Sequence, residues 1–310
     1  MITILKKKTE SGLTAISEPV SGCWLNVIDP TSEEIAQIQK LGIPADYITY
    51  PLDIDERPRT ERENGNIFIL LRIPYFQGQS FDIPYITIPL GIIMNNQYLV
   101  TICKRNNDII QEFASGRIKD LSTAKRNRFV LRLLLSTAHR YLDHLREISR
   151  IVEALEDKLQ LSIHNREVLE LLKYEKSLTY FTTALRANEL MLERLQRSQL
   201  FKAYPEDEDL LEDVITENQQ AIEMTNIQND ILSGMMDAFA SIISNNLNQV
   251  IKLLTLATIL LSFPAVVTSF CGMNVALPLQ DHPLAYVIAI CISIGISLVT
   301  IIILKKLNWF

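Results

Sequence analysis

The chain has 310 residues, of which 48% are apolar and 21% charged, and it carries a net charge of −6. That is too many charges for a wholly membrane-embedded protein, and enough apolar material for a soluble core plus a small membrane part. The acidic balance, without any Lys/Arg block interleaved with aromatics, sets nucleic acid aside as a partner.

The first residues, Met1-Ile-Thr-Ile-Leu-Lys-Lys-Lys, put a short apolar run ahead of the charges, the reverse of a secretory signal peptide, and read as a first strand. Residues 1–121 alternate short β-rich runs with helical ones and are expected to form an α/β domain. Cys23–Asp29 and Ile67–Tyr75 read as strands. Tyr85–Met94 and Gln97–Cys103 read as a hairpin turning at Asn95-Asn96. Thr31 with Glu34 three residues on is a capping box; it opens a helix through Leu41, which Gly42 stops. The four cysteines, Cys23, Cys103, Cys271 and Cys291, are scattered without a CxxC pair, so neither a disulfide framework nor a zinc site is expected, and a reducing compartment is the simpler setting.

From Ser122 onward the pattern is almost purely helical, interrupted near Ser162–Asn165 and at Ala203-Tyr204-Pro205. Residues 122–250 are therefore expected to be a helical region that includes the start of one very long helix. Between Glu206 and Gly272 the strong breakers are Gly234 and Pro264 alone, so a helix of ~60 residues, about 90 Å long, must run well beyond a bilayer. The acidic run Glu206-Asp207-Glu208-Asp209, continued by Glu212 and Asp213, either concentrates cations or favours a helix N-terminus. His139 and His144 miss the i, i+4 spacing of a helical metal pair.

Residues 251–310 read as a membrane hairpin with a basic tail. Leu253–Cys271 and Leu284–Leu304 are each about 20 apolar or small residues, enough to cross a ~30 Å hydrocarbon layer. Lys252 flanks the first span, Lys305 and Lys306 follow the second, and the connecting loop has no Lys or Arg, which puts both chain ends in the cytoplasm. Trp309 and Phe310 suit an interfacial anchor.

On the long helix, steps of four and three lead through Asp237, Ser241, Ser244, Asn248, Ile251, Thr255, Thr258, Ser262, Ala265 and Ser269. Eight of these ten side chains are polar, on the face that a left-handed coiled coil fills with Leu and Ile. In a membrane such a line faces either water or a packed neighbour, the hydroxyls then bonding to their own helix carbonyls. Asp237 and Asn248, which carry the face into the cytosol, favour water, because a dry seam would bury a carboxylate against its own copies. Two spans per chain cannot enclose a conduit, so a central pore implies several copies.

The first span ends in Gly272-Met273-Asn274, which by itself is an ordinary helix stop. After a polar-striped span and before a short loop and a second span ending in Lys-Lys, the chain resembles the CorA family of magnesium channels, whose signature is Gly-Met-Asn at that place. Asn248-Gln-Val-Ile-Lys-Leu-Leu-Thr255, Lys305-Lys-Leu-Asn-Trp309 and Leu52-Asp-Ile-Asp-Glu-Arg-Pro-Arg59 also look like family segments. The resemblance implies a homopentamer in the cell membrane, with a cytosolic α/β domain, a funnel of long helices and two C-terminal transmembrane helices. It further implies a selectivity filter of Gly272, Met273 and Asn274, a hydrophobic gate at Ile251 and Leu254, and Asn248 and Asp237 facing the pore. Asp55 and a neighbouring subunit's Asp213 would hold regulatory Mg²⁺, although Asp55 is equally placed to pair with Arg57 or Arg59. Mg²⁺ sheds water reluctantly, so a ring of amide oxygens can grip its hydration shell without stripping it.

Three positions depart from the family pattern: Cys271 stands where an aromatic is usual, Leu279 replaces the acid that usually follows the loop proline, and the membrane proline is Pro264, with Phe263 where the family more often places it. Asp281 is the one acid of the outer loop.

No P-loop, HExxH, GxSxG or GxGxxG at a strand-to-helix turn occurs, and the chain is not expected to be an enzyme. The leading function is passive uptake of hydrated Mg²⁺, with Co²⁺ or Ni²⁺ also admitted, closed by cytosolic Mg²⁺. The alternatives are a zinc transporter on the same scaffold and a membrane-tethered receptor.

Overall fold

The computed structural model describes residues 1–7, 13–116, 118, 121–161, 165–202, 204–273 and 284–306. Their contacts divide the chain into two units, Met1–Met235 and Met236–Phe310.

The first unit is built on a seven-stranded sheet of β1 (Ile2–Lys7), β2 (Leu13–Ile16), β3 (Trp24–Ile28), β4 (Arg59–Glu63), β5 (Asn66–Phe76), β6 (Tyr85–Met94) and β7 (Leu99–Cys103), in the order β2-β1-β3-β7-β6-β5-β4. All pairings are antiparallel except β3 with β7. Strand alternation sends Ile69, Leu71 and Ile73 of β5 into one core and Phe68 and Leu70 into another. On the first face they meet α3 (Asp108–Ala114), α4 (Arg126–Leu161), α5 (Asn165–Arg197) and the start of α6 (Pro205–Cys271), through Phe113, Phe129, Met191 and Leu211. On the other lie α1 (Ser32–Gln39) and α2 (Ala45–Thr49), with Ile38 and Tyr47 buried. A sheet covered on both sides explains why its central strands read as continuous apolar runs.

Local chemistry sets the element ends. Thr31 accepts from the Glu34 N–H while the Glu34 carboxylate accepts from the Thr31 N–H, closing the predicted box. The helix stops at Gln39, two residues earlier than expected, and Gly42 takes a left-handed φ of 81° beyond it. The predicted hairpin turns at Asn95, whose N–H donates to the Tyr98 carbonyl and whose side-chain oxygen accepts from the N–H groups of Gln97 and Tyr98. Helix breaks fall where the sequence placed them: α5 begins at Asn165 and α6 at Pro205. The short edge strands β2 and β4 were not predicted.

The second unit contains the rest of α6 and α7 (Ala285–Lys306). Both helices are long and apolar enough to cross a membrane, α6 by its C-terminal part. Trp309 and Phe310 lie outside the described residues.

Candidate functional site

The stripe positions from Asp237 to Ser269 all fall on one unbroken helix, α6. At 100° per residue the ten span a face about 120° wide. In the single chain nine of them are exposed and Thr255 is half-buried, whereas Leu256, Ile259, Leu260, Phe263 and Val267 on another side of the helix are partly covered. Asp237 makes no ion pair among the described residues.

The hydroxyls are not idle. Thr255 Oγ1 donates to the Ile251 carbonyl at 2.8 Å, Thr258 to Leu254 at 2.9 Å and Ser262 to Thr258 at 2.8 Å. These are the self-bonds expected on the packed-neighbour reading, and they do not by themselves decide against water. With the hydrogens of these three committed to the helix, their oxygen lone pairs face outward, so this part of the stripe presents acceptors. A hydrated cation points its water hydrogens outward, and acceptors are what it meets best.

Ile251 and Leu254, the expected gate, are 50% and 66% exposed; Ile251 is one of the two apolar positions of the stripe, and Leu254 lies beside its edge. Pro264 sits inside α6 and brings no N–H to its ladder.

At the helix end, the Gly272 N–H donates to the Thr268 carbonyl at 3.0 Å and that of Met273 to Phe270 at 3.3 Å. Gly272 is not in the left-handed region, so it does not act as the usual left-handed helix stop. A Cβ there would stand 3.3 Å from the Thr268 carbonyl oxygen, a close approach that glycine permits. Asn274 and Asp281 lie outside the described residues.

The two expected regulatory carboxylates belong to the first unit. Asp55 lies in the loop between a 3₁₀ turn (Tyr50–Leu52) and β4, its N–H donating to Asp53 Oδ1 at 3.1 Å. Its carboxylate is exposed and makes no ion pair among the described residues, neither with Arg57 nor with Arg59, the latter being taken by Glu56 and Glu61 and stacked 4.4 Å over the Tyr50 ring. Asp213 on α6 is exposed as well. Free hard carboxylates with room for water suit Mg²⁺, which is usually held by one or two such groups and keeps several waters. Among the described residues no three His, Cys, Asp or Glu side chains converge within one chain.

Other charged groups have structural partners. Glu206 and Asp207 open α6 and both pair with Arg128 of α4, Asp207 being 3% exposed, and Glu208 pairs with Lys202. Glu206, Asp207 and Glu208 thus serve a helix N-terminus. His139 faces Glu217, and His144 faces Glu147 at 3.6 Å. Burial holds the His144 imidazole below its ordinary pKa, against the opposing pull of Glu147. Sequence reasoning passed over Arg72, whose signal was present: it is the one charged residue in the strand Asn-Ile-Phe-Ile-Leu-Leu-Arg-Ile-Pro-Tyr-Phe.

Comparison with known proteins adds an independent line. Residues 21–306 match the family model described as CorA-like Mg2+ transporter protein. The chain is 31% identical, over 298 residues that make up 92% of it and 90% of the relative, to the cobalt/magnesium transport protein CorA of Methanocaldococcus jannaschii. It is 21% identical over 300 residues, 92% of it and 83% of the relative, to the protein of the same name from Thermotoga maritima. Among solved structures, the complete CorA magnesium transporter of Methanocaldococcus jannaschii superposes with a TM-score of 0.85, at 25% identity, covering 100% of this chain and 99% of that one.

Proposed function

Because the chain belongs to the CorA-like Mg²⁺ transporter family, we propose that it assembles as a homopentamer and passes hydrated Mg²⁺ passively through a central, gated pore. It is a membrane transport protein for Mg²⁺ and Co²⁺ with two C-terminal transmembrane helices, and it is not an enzyme.

The observation that carries the pore reading is the exposed polar stripe of α6, which leads from Asp237 to Ser269 and is followed in the sequence by Gly272-Met273-Asn274. Copies of α6 around a shared axis would turn this face inward. Asp237, Ser241, Ser244 and Asn248 would then line the cytosolic part, Thr255, Thr258, Ser262 and Ser269 the membrane part, and Ile251 with Leu254 a dewetting constriction. Asn274 would ring the outer mouth, binding water molecules of the ion rather than the bare ion, with Asp281 the acid nearest that mouth. Both chain ends would be cytoplasmic. Asp55 and Asp213 of adjoining subunits would bind cytosolic Mg²⁺ in the closed state, and its loss would leave facing carboxylates to repel.

Flux into liposomes tests this. Mg²⁺ entering under an applied membrane potential, and stopped by cobalt hexaammine as a mimic of the hydrated ion, is the expected result. Asn274→Ala should abolish selective flux while the oligomer persists. Zinc flux that follows a pH gradient and ignores the mimic would replace the proposal with a zinc transporter; no flux at all would favour a tether.

A further inference from the structure

Arg72 lies in β5 where the β4 ladder has stopped. The last pair of that ladder is Arg59 with Leu70, two residues short of Arg72. By strand parity the Arg72 N–H and C=O point to the same side as those of Leu70, where no further strand residue waits. Asn188 of α5 supplies the missing partner. The Arg72 N–H donates to Asn188 Oδ1 at 2.9 Å, and Asn188 Nδ2 donates to the Arg72 carbonyl at 2.8 Å. Tyr141 of α4 donates its hydroxyl to the same carbonyl at 2.9 Å. Asn188 and Tyr141 are 3% and 0% exposed, so water does not compete for these bonds.

The side chain of Arg72 faces the loop that carries Asp55. Its Nη1 donates to the carbonyls of Ile54 at 2.9 Å and Glu56 at 3.1 Å, which are the two residues flanking Asp55. Nε and Nη2 are held by the Thr87 hydroxyl and carbonyl at 3.0 and 2.8 Å. All these acceptors are neutral, and among the described residues Arg72 makes no ion pair. The guanidinium is therefore spent on backbone geometry. Asp55 and Arg72 line one cleft of about 660 Å³, together with Arg57, Thr179, Tyr180 and Arg194.

We propose that Arg72 is the positioning residue of Asp55: it clamps the backbone on both sides of that residue, and Asn188 anchors the clamp to α5. The proposal rests on the reading of Asp55 as a holder of regulatory Mg²⁺. Mg²⁺ demands near-octahedral oxygens, so a carboxylate on a fixed loop binds it better than one on a loose loop. A guanidinium can bridge three carbonyls and a hydroxyl at once because its donors lie in a rigid fork; an ammonium cannot.

The test compares the wild-type chain with Asp55→Asn, Arg72→Lys, Arg72→Ala and the double variant Asp55→Asn/Arg72→Ala, all full length in liposomes. Two quantities are read: the cytosolic Mg²⁺ concentration that half-blocks flux, and the Mg²⁺-dependent slowing of hydrogen exchange at residues 53–58. Arg72→Ala is expected to raise the half-blocking concentration by about 10–100-fold, the range for partners that orient a metal ligand, with maximal flux at low Mg²⁺ kept. Loop exchange should quicken, and Mg²⁺ should slow it less. The double variant should match Asp55→Asn, since Arg72 acts through Asp55. If Asp55→Asn shifts the block and Arg72→Ala does not, or if the two shifts add in the double variant, the positioning role is overturned while the Asp55 site stands. If Asp55→Asn leaves both block and exchange unchanged, the site reading falls and this inference with it. Should Arg72→Ala fail to assemble, Arg72→Lys, which keeps the charge, carries the same comparison, and a wild-type response in it overturns the role.

Discussion

At the scale of single residues, much of the first unit turns on a few positions with no freedom to change. Gly91 of β6 is one: a Cβ there would lie 2.2 Å from Cγ of Pro51 and 3.3 Å from the Phe68 ring. The Pro51 ring is stiff and belongs to the turn that leads into the Asp55 loop, so it cannot swing aside as a flexible side chain would. Gly91→Ala should therefore cost about 1–3 kcal/mol, the usual range for overpacking, and lower the thermal midpoint of the purified protein; an unchanged midpoint would mean that the turn yields freely. His144 is another. It is nearly buried, with the Tyr85 ring 5.1 Å away on β6 and Glu147 on its own helix, and the charges of Arg140 and Asp108 also act on it. Burial lowers its folded pKa below the unfolded value of 6.5, so below that pH the unfolded chain takes up a proton that the folded chain resists. Its contribution to stability is complete above about pH 6.5 and is lost as pH falls toward the folded pKa. The thermal midpoint should fall more between pH 7.5 and 5.5 in the wild type than in His144→Gln, and parallel curves would show that His144 is not the group responsible.

Between elements, what the sequence disclosed and what it concealed have physical causes. The Thr31/Glu34 box, the Asn95 turn, the break at Pro205 and the two apolar spans are local signals that need no distant partner, and each appeared where expected. β4 escaped because Arg-Thr-Glu-Arg-Glu carries no apolar alternation. It is an edge strand, and charge is how an edge avoids pairing with a second sheet. The Arg72 clamp escaped because its partners Asn188 and Ile54 lie 116 and 18 residues away, distances that no periodicity reports.

The α6 stripe is the case where both sequence readings survive in the fold. The hydroxyls of Thr255, Thr258 and Ser262 bond to their own helix and still offer acceptors outward. Cysteine accessibility separates the readings. With Cys271 and Cys291 first replaced by Ser, cysteines introduced at Ser241, Asn248, Thr258 and Ser262 should react readily with a water-borne thiol reagent, whereas one at Leu260 should not. Equal inertness of the stripe and Leu260 within the membrane would leave only the packed-neighbour reading.

Taken as a whole molecule, a single copy leaves two neighbouring isoleucines exposed on α6 ahead of its apolar part. Ile227 and Ile231, one turn apart on this part of α6, are 58% and 53% exposed. Burying an isoleucine side chain fully is worth about 1.5–3 kcal/mol, so covering this pair is a drive toward association that the isolated chain cannot satisfy. In a closed ring every interface is a copy of every other, and a change in one residue enters all of them at once. A substitution that would be mild in a heterodimer is therefore multiplied by the number of subunits. Ile227→Asp combined with Ile231→Asp should shift the detergent-solubilised particle from a multiple of 35.4 kDa toward the single-chain mass, as read by light scattering, while circular dichroism keeps its helical signal because neither side chain contributes to the core of its own subunit. Flux should vanish together with the ring, since two spans alone enclose no path. A particle of unchanged mass would place the subunit contact on another face of this part of α6.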